Sequence, residues 1–339
     1  MNLDVGLEKS TVIRLLTFCT AFALALAIPF AATAQSSGYI TTSDSARLYY
    51  TIVGRPVPGV DTLIAIHGGP GMDLESIYGD FASHLGKKHV VIFYDQRGGG
   101  KSELPPDTSR LLASRQIQDL EEIRQHFALR QLTLLAHSYG PLLAASYAIV
   151  HPASVRSMVF FGPVPPRLGD FWKRYGGNLN SRLTPAERKK MSAASARQND
   201  DKLSQEDSRQ ACRDMWAIGL RPRLANPRSG MRLVKSDLCA TDVNGIRYGS
   251  RIGNGVIMRS YGDWDLRPAL HTLKVPLLVV HGERETIPMD MVEEWVTSMP
   301  KGMATLLRVP RAAHFTYAER PELVWPAVER FLAANRTTH

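Results

Sequence analysis

The stretch Leu132–Pro141, reading Leu-Thr-Leu-Leu-Ala-His-Ser-Tyr-Gly-Pro, limits the possible folds more than any other. Leu132 to Leu135 reads as a short buried strand, and Leu142 to Val150 is an apolar run of helical length. Between them Ser138 has a small residue two positions away on each side, Ala136 and Gly140. A serine so flanked, in a strand–turn–helix context, has the pattern of a nucleophile elbow. Such a turn holds the serine backbone in a strained conformation and lifts its Oγ clear of the sheet. The flanking residues must be small because the strand and helix backbones nearly touch. Ala136 stands where a glycine is usual, and its methyl fits if the helix packs slightly wider. Pro141 costs little, because the first turn of a helix has no use for its N–H. The plainer alternative is an ordinary serine in a strand-to-helix turn.

The segments around the elbow define a fold class. Tyr39 to Val53 reads as two strands around the polar turn Ser43-Asp44-Ser45. Thr62 to Ile66 and Val90 to Tyr94 are continuous apolar strands. Each runs into a glycine-rich turn, His67-Gly68-Gly69-Pro70-Gly71 and Asp95-Gln96-Arg97-Gly98-Gly99-Gly100-Lys101-Ser102. Glycines there let the backbone turn sharply and aim N–H groups into a cleft. Ser114 to Leu129 has helical spacing, with Ile117, Leu120, Ile123 and Phe127 on one face. Ser157 to Phe161, Val275 to Val280 and Thr305 to Val309 read as further strands, and Pro321 to Ala334 as a closing amphipathic helix. Strands that are apolar throughout and alternate with helices imply an α/β fold, a mainly parallel sheet covered by helices on both faces. The expected organisation is a core of residues 35–162 and 271–339, interrupted by a helical cap over residues 163–270.

At 339 residues and 44% hydrophobic content the chain can bury one large core plus such an insertion. Residues 1–34 read as a signal peptide: Leu15 to Ala32 is almost uncharged, and Ala32-Thr33-Ala34 before Gln35 has the small-x-small pattern of a cleavage site. Asp4 and Glu8 offset Lys9 and Arg14 ahead of that run, so an uncleaved membrane anchor is the alternative. Cleavage after Ala34 would yield a secreted or periplasmic protein with no stable membrane insertion. It would also remove Cys19 and leave Cys212 and Cys239, both in the insertion. Two cysteines in an oxidising compartment are expected to pair, tying two parts of the cap together. The net charge of +9 resides in residues 163–270, which hold 20 Lys and Arg against 11 Asp and Glu. A basic insertion could attract an acidic substrate or an anionic surface; a solvated helical exterior is the ordinary explanation. No nucleic-acid motif, aromatic–basic interleaving or Cys-x-x-Cys spacing is present, so neither a nucleic acid nor a metal or other cofactor is expected.

The residues on the C-terminal side of the elbow add to its weight. In the α/β-hydrolase fold a serine nucleophile is succeeded by an acid and then a histidine, on loops after late strands. After Val280 comes His281-Gly282-Glu283-Arg284-Glu285, and after Val309 comes Arg311-Ala312-Ala313-His314-Phe315. Ser138, Glu285 and His314 are therefore the candidate triad, with Glu283 and Asp290 as alternative acids. A free hydroxyl is a weak nucleophile at neutral pH, so His314 would take its proton and Glu285 would orient the imidazole. The oxyanion hole would use the backbone N–H groups of Tyr139 and Gly68. A serine nucleophile also argues against dehalogenase or epoxide-hydrolase chemistry, which needs a carboxylate.

The run His-Gly-Gly-Pro-Gly, then Asp-Gln-Arg-Gly-x-Gly-x-Ser, then the serine elbow resembles the proline iminopeptidase branch of the α/β-hydrolases. The resemblance covers about Tyr39 to Pro163 and Val275 to the C-terminus. It implies a helical cap between the sixth and seventh strands, the Ser138–Glu285–His314 triad, and Gly68 and Tyr139 as oxyanion donors. Three departures stand out. The elbow is Ala-His-Ser-Tyr-Gly, where the family has Gly-Gly-Ser-Trp-Gly. The acid is Glu in place of Asp. The cap lacks the Trp-x-x-Trp-Glu stretch whose glutamate holds the substrate amine; around Trp216 it reads Met-Trp-Ala-Ile-Gly. The expected function is therefore an exported serine hydrolase acting on small esters or amides. Two alternatives are an aminopeptidase acting on short peptides, with Glu206, Asp207 or Asp214 holding the amine, and a non-catalytic binding protein.

Overall fold

The computed structural model describes residues 35–55, 62–228, 235 and 237–336. The signal peptide expected over residues 1–34 and its expected cleavage point lie outside the described residues. Eight strands form one sheet: β1 (Gln35–Thr41), β2 (Arg47–Val53), β3 (Thr62–Ile66), β4 (Val90–Tyr94), β5 (Leu132–His137), β6 (Val155–Phe161), β7 (Leu277–Gly282) and β8 (Ala304–Val309), in the spatial order β1-β2-β4-β3-β5-β6-β7-β8. β1 and β2 form an antiparallel hairpin, and β2 pairs antiparallel with β4. Every other pairing is parallel. The mainly parallel sheet read from the apolar runs is the one observed.

Successive side chains of a strand point to opposite faces, so a sheet covered on both sides needs apolar residues at every position. Ile64, Ile66, Leu134, Ala136, Met158, Phe160, Leu277 and Val279 pack on one face, against α2 (Ala113–His126), α3 (Gly140–Val150) and α10 (Met289–Thr297). Leu63, Ala65, Leu135, Val159, Phe161, Leu278 and Val280 pack on the other, against α1 (Glu75–Leu85) and α11 (Pro321–Ala334). Two of these helices, α1 and α10, were not among the elements expected from the sequence. Both are short, at 11 and 9 residues, which leaves few turns over which helical spacing can be read. β8 departs from the all-apolar expectation in a different way. It lies at the sheet edge and buries only Val309 fully.

Between β6 and β7 the chain leaves the sheet and forms the helical insertion: α4 (Phe171–Ser181), α5 (Pro185–Gln198), α6 (Gln205–Gly219), α7 (Val243–Tyr248), α8 (Asn254–Ser260) and α9 (Arg267–Leu270). Local chemistry starts these helices. Thr184 and Glu187 form a reciprocal capping box at the head of α5, and the Ser204 hydroxyl caps α6 by accepting from the Asp207 N–H. Cys212 on α6 is disulfide-bonded to Cys239, as expected from the two cysteines, and both are buried. Among the described residues no helix is long and apolar enough to cross a membrane.

Candidate active site

Ser138 sits between β5 and α3 with φ of +62°, in the left-handed region that non-glycine residues rarely enter. The strain is held from both sides of its peptide: the Ser138 N–H donates to the Phe161 carbonyl at 2.9 Å, and its carbonyl accepts from the Val164 N–H at 2.9 Å. The demand for small neighbours is visible in the distances. A Cβ on Gly140 would stand 2.8 Å from the Ile66 carbonyl oxygen, whereas the methyl of Ala136 is accommodated in a fully buried position.

Glu285 follows β7 and His314 follows β8, and the fold brings them together: His314 Nδ1 lies 2.8 Å from Glu285 Oε2. The other carboxylate oxygen is saturated, accepting from the Thr286 N–H (2.6 Å), the Thr286 hydroxyl (2.8 Å) and the Ile287 N–H (3.2 Å). Burial alone would raise the carboxyl's pKa. The His314 imidazole and these donors outweigh it and hold the group well below the usual carboxylate range. An ionised Glu285 makes Nδ1 of His314 the donor and leaves Nε2 as the free ring nitrogen. The alternative acids are elsewhere: Glu283 is exposed, and Asp290 is an exposed partner of Arg174 at 2.8 Å.

Gly68 lies against the serine, since a Cβ there would be 2.9 Å from Ser138 Cβ. Neither the Gly68 nor the Tyr139 N–H has a hydrogen-bond acceptor among the described residues. Ser138, Gly68 and His314 line one cavity of about 110 Å³ together with Met72, Tyr175, Trp216 and Arg223. A larger cavity of about 350 Å³ adjoins it under the cap and shares Gly69, Met72, Tyr175, Trp216, Arg223 and Leu238. The cap acids Glu206, Asp207 and Asp214 line neither cavity. Glu206 faces Arg213 and Asp214 faces Arg197 on the surface, and Asp207 bonds the Ser204 hydroxyl.

Several residues support the site in ways the sequence reading did not assign. His67 is fully buried, with Nδ1 2.8 Å from the Gly68 carbonyl and Nε2 accepting from the Gln96 N–H at 3.1 Å. A carbonyl only accepts and a backbone N–H only donates, so the ring is the neutral Nδ1–H tautomer; burial accordingly lowers its pKa to about 4. Gln96 also donates to the His67 carbonyl at 2.9 Å, so the second glycine-rich turn braces the first. His137 is buried with its ring centroid 4.7 Å from that of His314, and its Nε2 reaches the His314 carbonyl at 3.3 Å. Burial, with His314 beside it, pushes its pKa well below the usual imidazole value, so it acts as a neutral prop. Gly162, at φ of +52°, closes the set: a Cβ there would be 3.1 Å from His314 Nδ1. The sequence signal for His67, Gln96 and His137 was membership of a recognised motif, with nothing to assign a role, and their partners lie on segments that follow other strands.

Residues 61–321 match the family model described as alpha/beta hydrolase fold. A proline iminopeptidase of Heyndrickxia coagulans is 26% identical over 274 residues, covering 81% of this chain and 91% of the relative. Among solved structures, a proline iminopeptidase of Mycobacterium smegmatis superposes with a TM-score of 0.64 at 21% identity, covering 88% of this chain and 98% of that one. A thermophilic esterase from Thermogutta terrifontis does so with a TM-score of 0.62 at 18% identity, covering 89% and 100%. At these identities the two structures speak for the fold alone.

Proposed function

Because this chain belongs to the alpha/beta hydrolase fold family and is proline iminopeptidase-like, we propose that it is a serine hydrolase with Ser138 as nucleophile, His314 as general base and Glu285 as its orienting acid. The observation that carries the reading is the strained Ser138 in one cavity with a His314 already paired to a buried, ionised Glu285. In this mechanism Ser138 Oγ attacks the substrate carbonyl carbon while His314 Nε2 takes its proton. Negative charge then develops on the carbonyl oxygen, beside the Gly68 and Tyr139 N–H groups. Donors so placed each lower such barriers by about 3 kcal/mol. Collapse of the adduct breaks the ester or amide bond, and His314 returns the proton to the leaving group. Water, activated by the same imidazole, then releases the acyl group from Ser138.

The inner cavity suits a small acyl group, which favours small esters and amides as substrates. An aminopeptidase reading is favoured by the relatives' name. It is weakened by the position of Glu206, Asp207 and Asp214 outside both cavities. The Cys212–Cys239 disulfide supports an exported location, since such bonds persist in oxidising compartments. A fluorophosphonate reagent should label the purified protein on Ser138 and not the Ser138→Ala variant. Absence of labelling in the folded wild type would remove the hydrolase reading in favour of a binding protein.

A further inference from the structure

We propose that Arg223 is a specificity-determining residue, whose guanidinium selects substrates carrying a carboxylate over neutral substrates of the same size. The inference deepens the serine-hydrolase reading and rests on it.

Arg223 ends a short 3-10 turn of the cap, Arg221–Arg223, directly over the candidate triad. Its carbonyl accepts from the His314 N–H at 3.0 Å, so the backbone of this cap residue is fixed to the histidine loop. Two residues on, Glu319 repeats the tie by accepting from both the Ala225 and Ala313 N–H groups at 2.6 Å. The Arg223 side chain is half-buried and lines both the inner cavity with Ser138 and the larger cavity beside it. It is held in place: one guanidinium nitrogen donates to the Gly219 carbonyl at 2.6 Å, the other to the Tyr175 hydroxyl at 3.1 Å, and its carbon lies 5.7 Å from the Trp216 ring centroid.

None of these partners carries a negative charge. Many other cap arginines face a carboxylate, for example Arg167 with Glu294, Arg174 with Asp290, Arg247 and Arg251 sharing Asp201, and Arg267 with Asp265. Arg223 has no carboxylate within ion-pair distance among the described residues. A guanidinium has five N–H donors, and the two bonds above leave donors and the whole charge available. Among the described residues no acid lines the inner cavity, and Asp73 is the only one lining the larger cavity. Burial, reinforced by the neighbouring Asp95, pushes the Asp73 carboxyl well above its usual range, which weakens the one opposing charge. The cavity wall therefore presents a fixed, unneutralised guanidinium, and guanidinium binds carboxylate more strongly and more directionally than neutral groups.

The carboxylate could be on the acyl group or at the far end of the leaving group, such as the C-terminus of a dipeptide. Two matched pairs distinguish these sources: the p-nitrophenyl monoester of adipic acid against p-nitrophenyl hexanoate, and alanyl-alanine against alanyl-alanine amide. In the full chain, kcat/KM for the acidic member of at least one pair should exceed that of its neutral partner by on the order of tenfold, through KM. Arg223→Gln should bring that ratio close to one, and Arg223→Lys should retain part of it. An Arg223 that only props Tyr175 and Gly219 would lower both members alike and leave the ratio standing, which would overturn the proposal. So would a wild type without preference in either pair. A readout independent of turnover uses labelling: adipate should slow fluorophosphonate modification of Ser138 where hexanamide does not, and Arg223→Gln should abolish the difference. Equal protection by both compounds would overturn the specificity while leaving the hydrolase reading intact. Failure of wild-type labelling itself would overturn both.

Discussion

The sheet and the cap face the same cavities but are held by different physics. On the sheet side the candidate groups stand on loops that follow strands, and backbone hydrogen bonds fix several of them: Ser138 to Phe161, Glu285 to Thr286 and Ile287, His67 through Gln96. On the cap side the helices are Arg-rich, and several of their ion pairs are exposed, as in Arg174–Asp290 and Arg251–Asp201. Pairs of that kind contribute about 0–1 kcal/mol each. The cap therefore depends on a few buried anchors, among them Phe171, Leu220, Leu224 and Trp264, and on its disulfide. The candidate triad rests on the sheet half. The residue proposed to choose the substrate rests on the cap, which is joined to the histidine loop where the Arg223 carbonyl accepts from the His314 N–H.

That contrast can be broken most directly at the elbow. Ser138→Ala should fold normally and lose roughly 10⁴- to 10⁶-fold in kcat, because the other serine lining the cavity, Ser76, is buried with its hydroxyl donating to the Asp73 carbonyl. Comparable turnover in the variant would mean that the chemistry lies elsewhere. A smaller effect is expected at the acid. Glu285→Gln should cost roughly 10²- to 10⁴-fold by disturbing the orientation and charge that His314 needs, whereas Asp290→Asn should be nearly silent. The reverse ranking in a kcat/KM comparison would reassign the acid.

The next prediction concerns pH and the buried polar groups of the sheet side. Burial pushes the Asp95 carboxyl up to about 7, although the Leu74 and Lys101 N–H groups favour its charged form. A raised folded-state pKa means that the stabilisation is fully present below the unfolded value near 4 and is lost as pH rises through about 7. Asp95→Asn cannot titrate, so its stability deficit relative to the wild type should shrink by on the order of 2 kcal/mol between pH 5 and pH 8. Denaturant midpoints at the two values measure this, and a deficit independent of pH would contradict the buried carboxyl. The smallest effect belongs to the cap. The double variant Cys212→Ala, Cys239→Ala should raise KM by roughly threefold to tenfold, with fluorophosphonate labelling of Ser138 retained, since the tie it removes lies outside the sheet. Loss of labelling before any change in KM would show that the two regions are not mechanically separate.

The sequence by itself determined the sheet and the order of the candidate groups. Continuous apolar runs such as Val90 to Tyr94 suit strands buried on both faces, and a serine between Ala136 and Gly140 after such a run suits a tight turn to a helix. Both are local properties, legible because neighbouring residues in the chain set them. The supports of the site were not legible. Gln96 holds His67, His137 props His314, Gly162 leaves room for the His314–Glu285 pair, and Arg223 closes over it from the cap. These contacts join segments far apart in the chain; the parallel pairing of β4, β3, β5, β6, β7 and β8 brings the sheet-side partners together, and the packing of the insertion brings Arg223. The cap shows the same division. Its helices were readable as a polar, basic insertion, but which of its charges face the cavity depended on packing. Glu206, Asp207 and Asp214 point to solvent because Arg213, Ser204 and Arg197 meet them there, whereas Arg223 is turned inward by Gly219 and Tyr175.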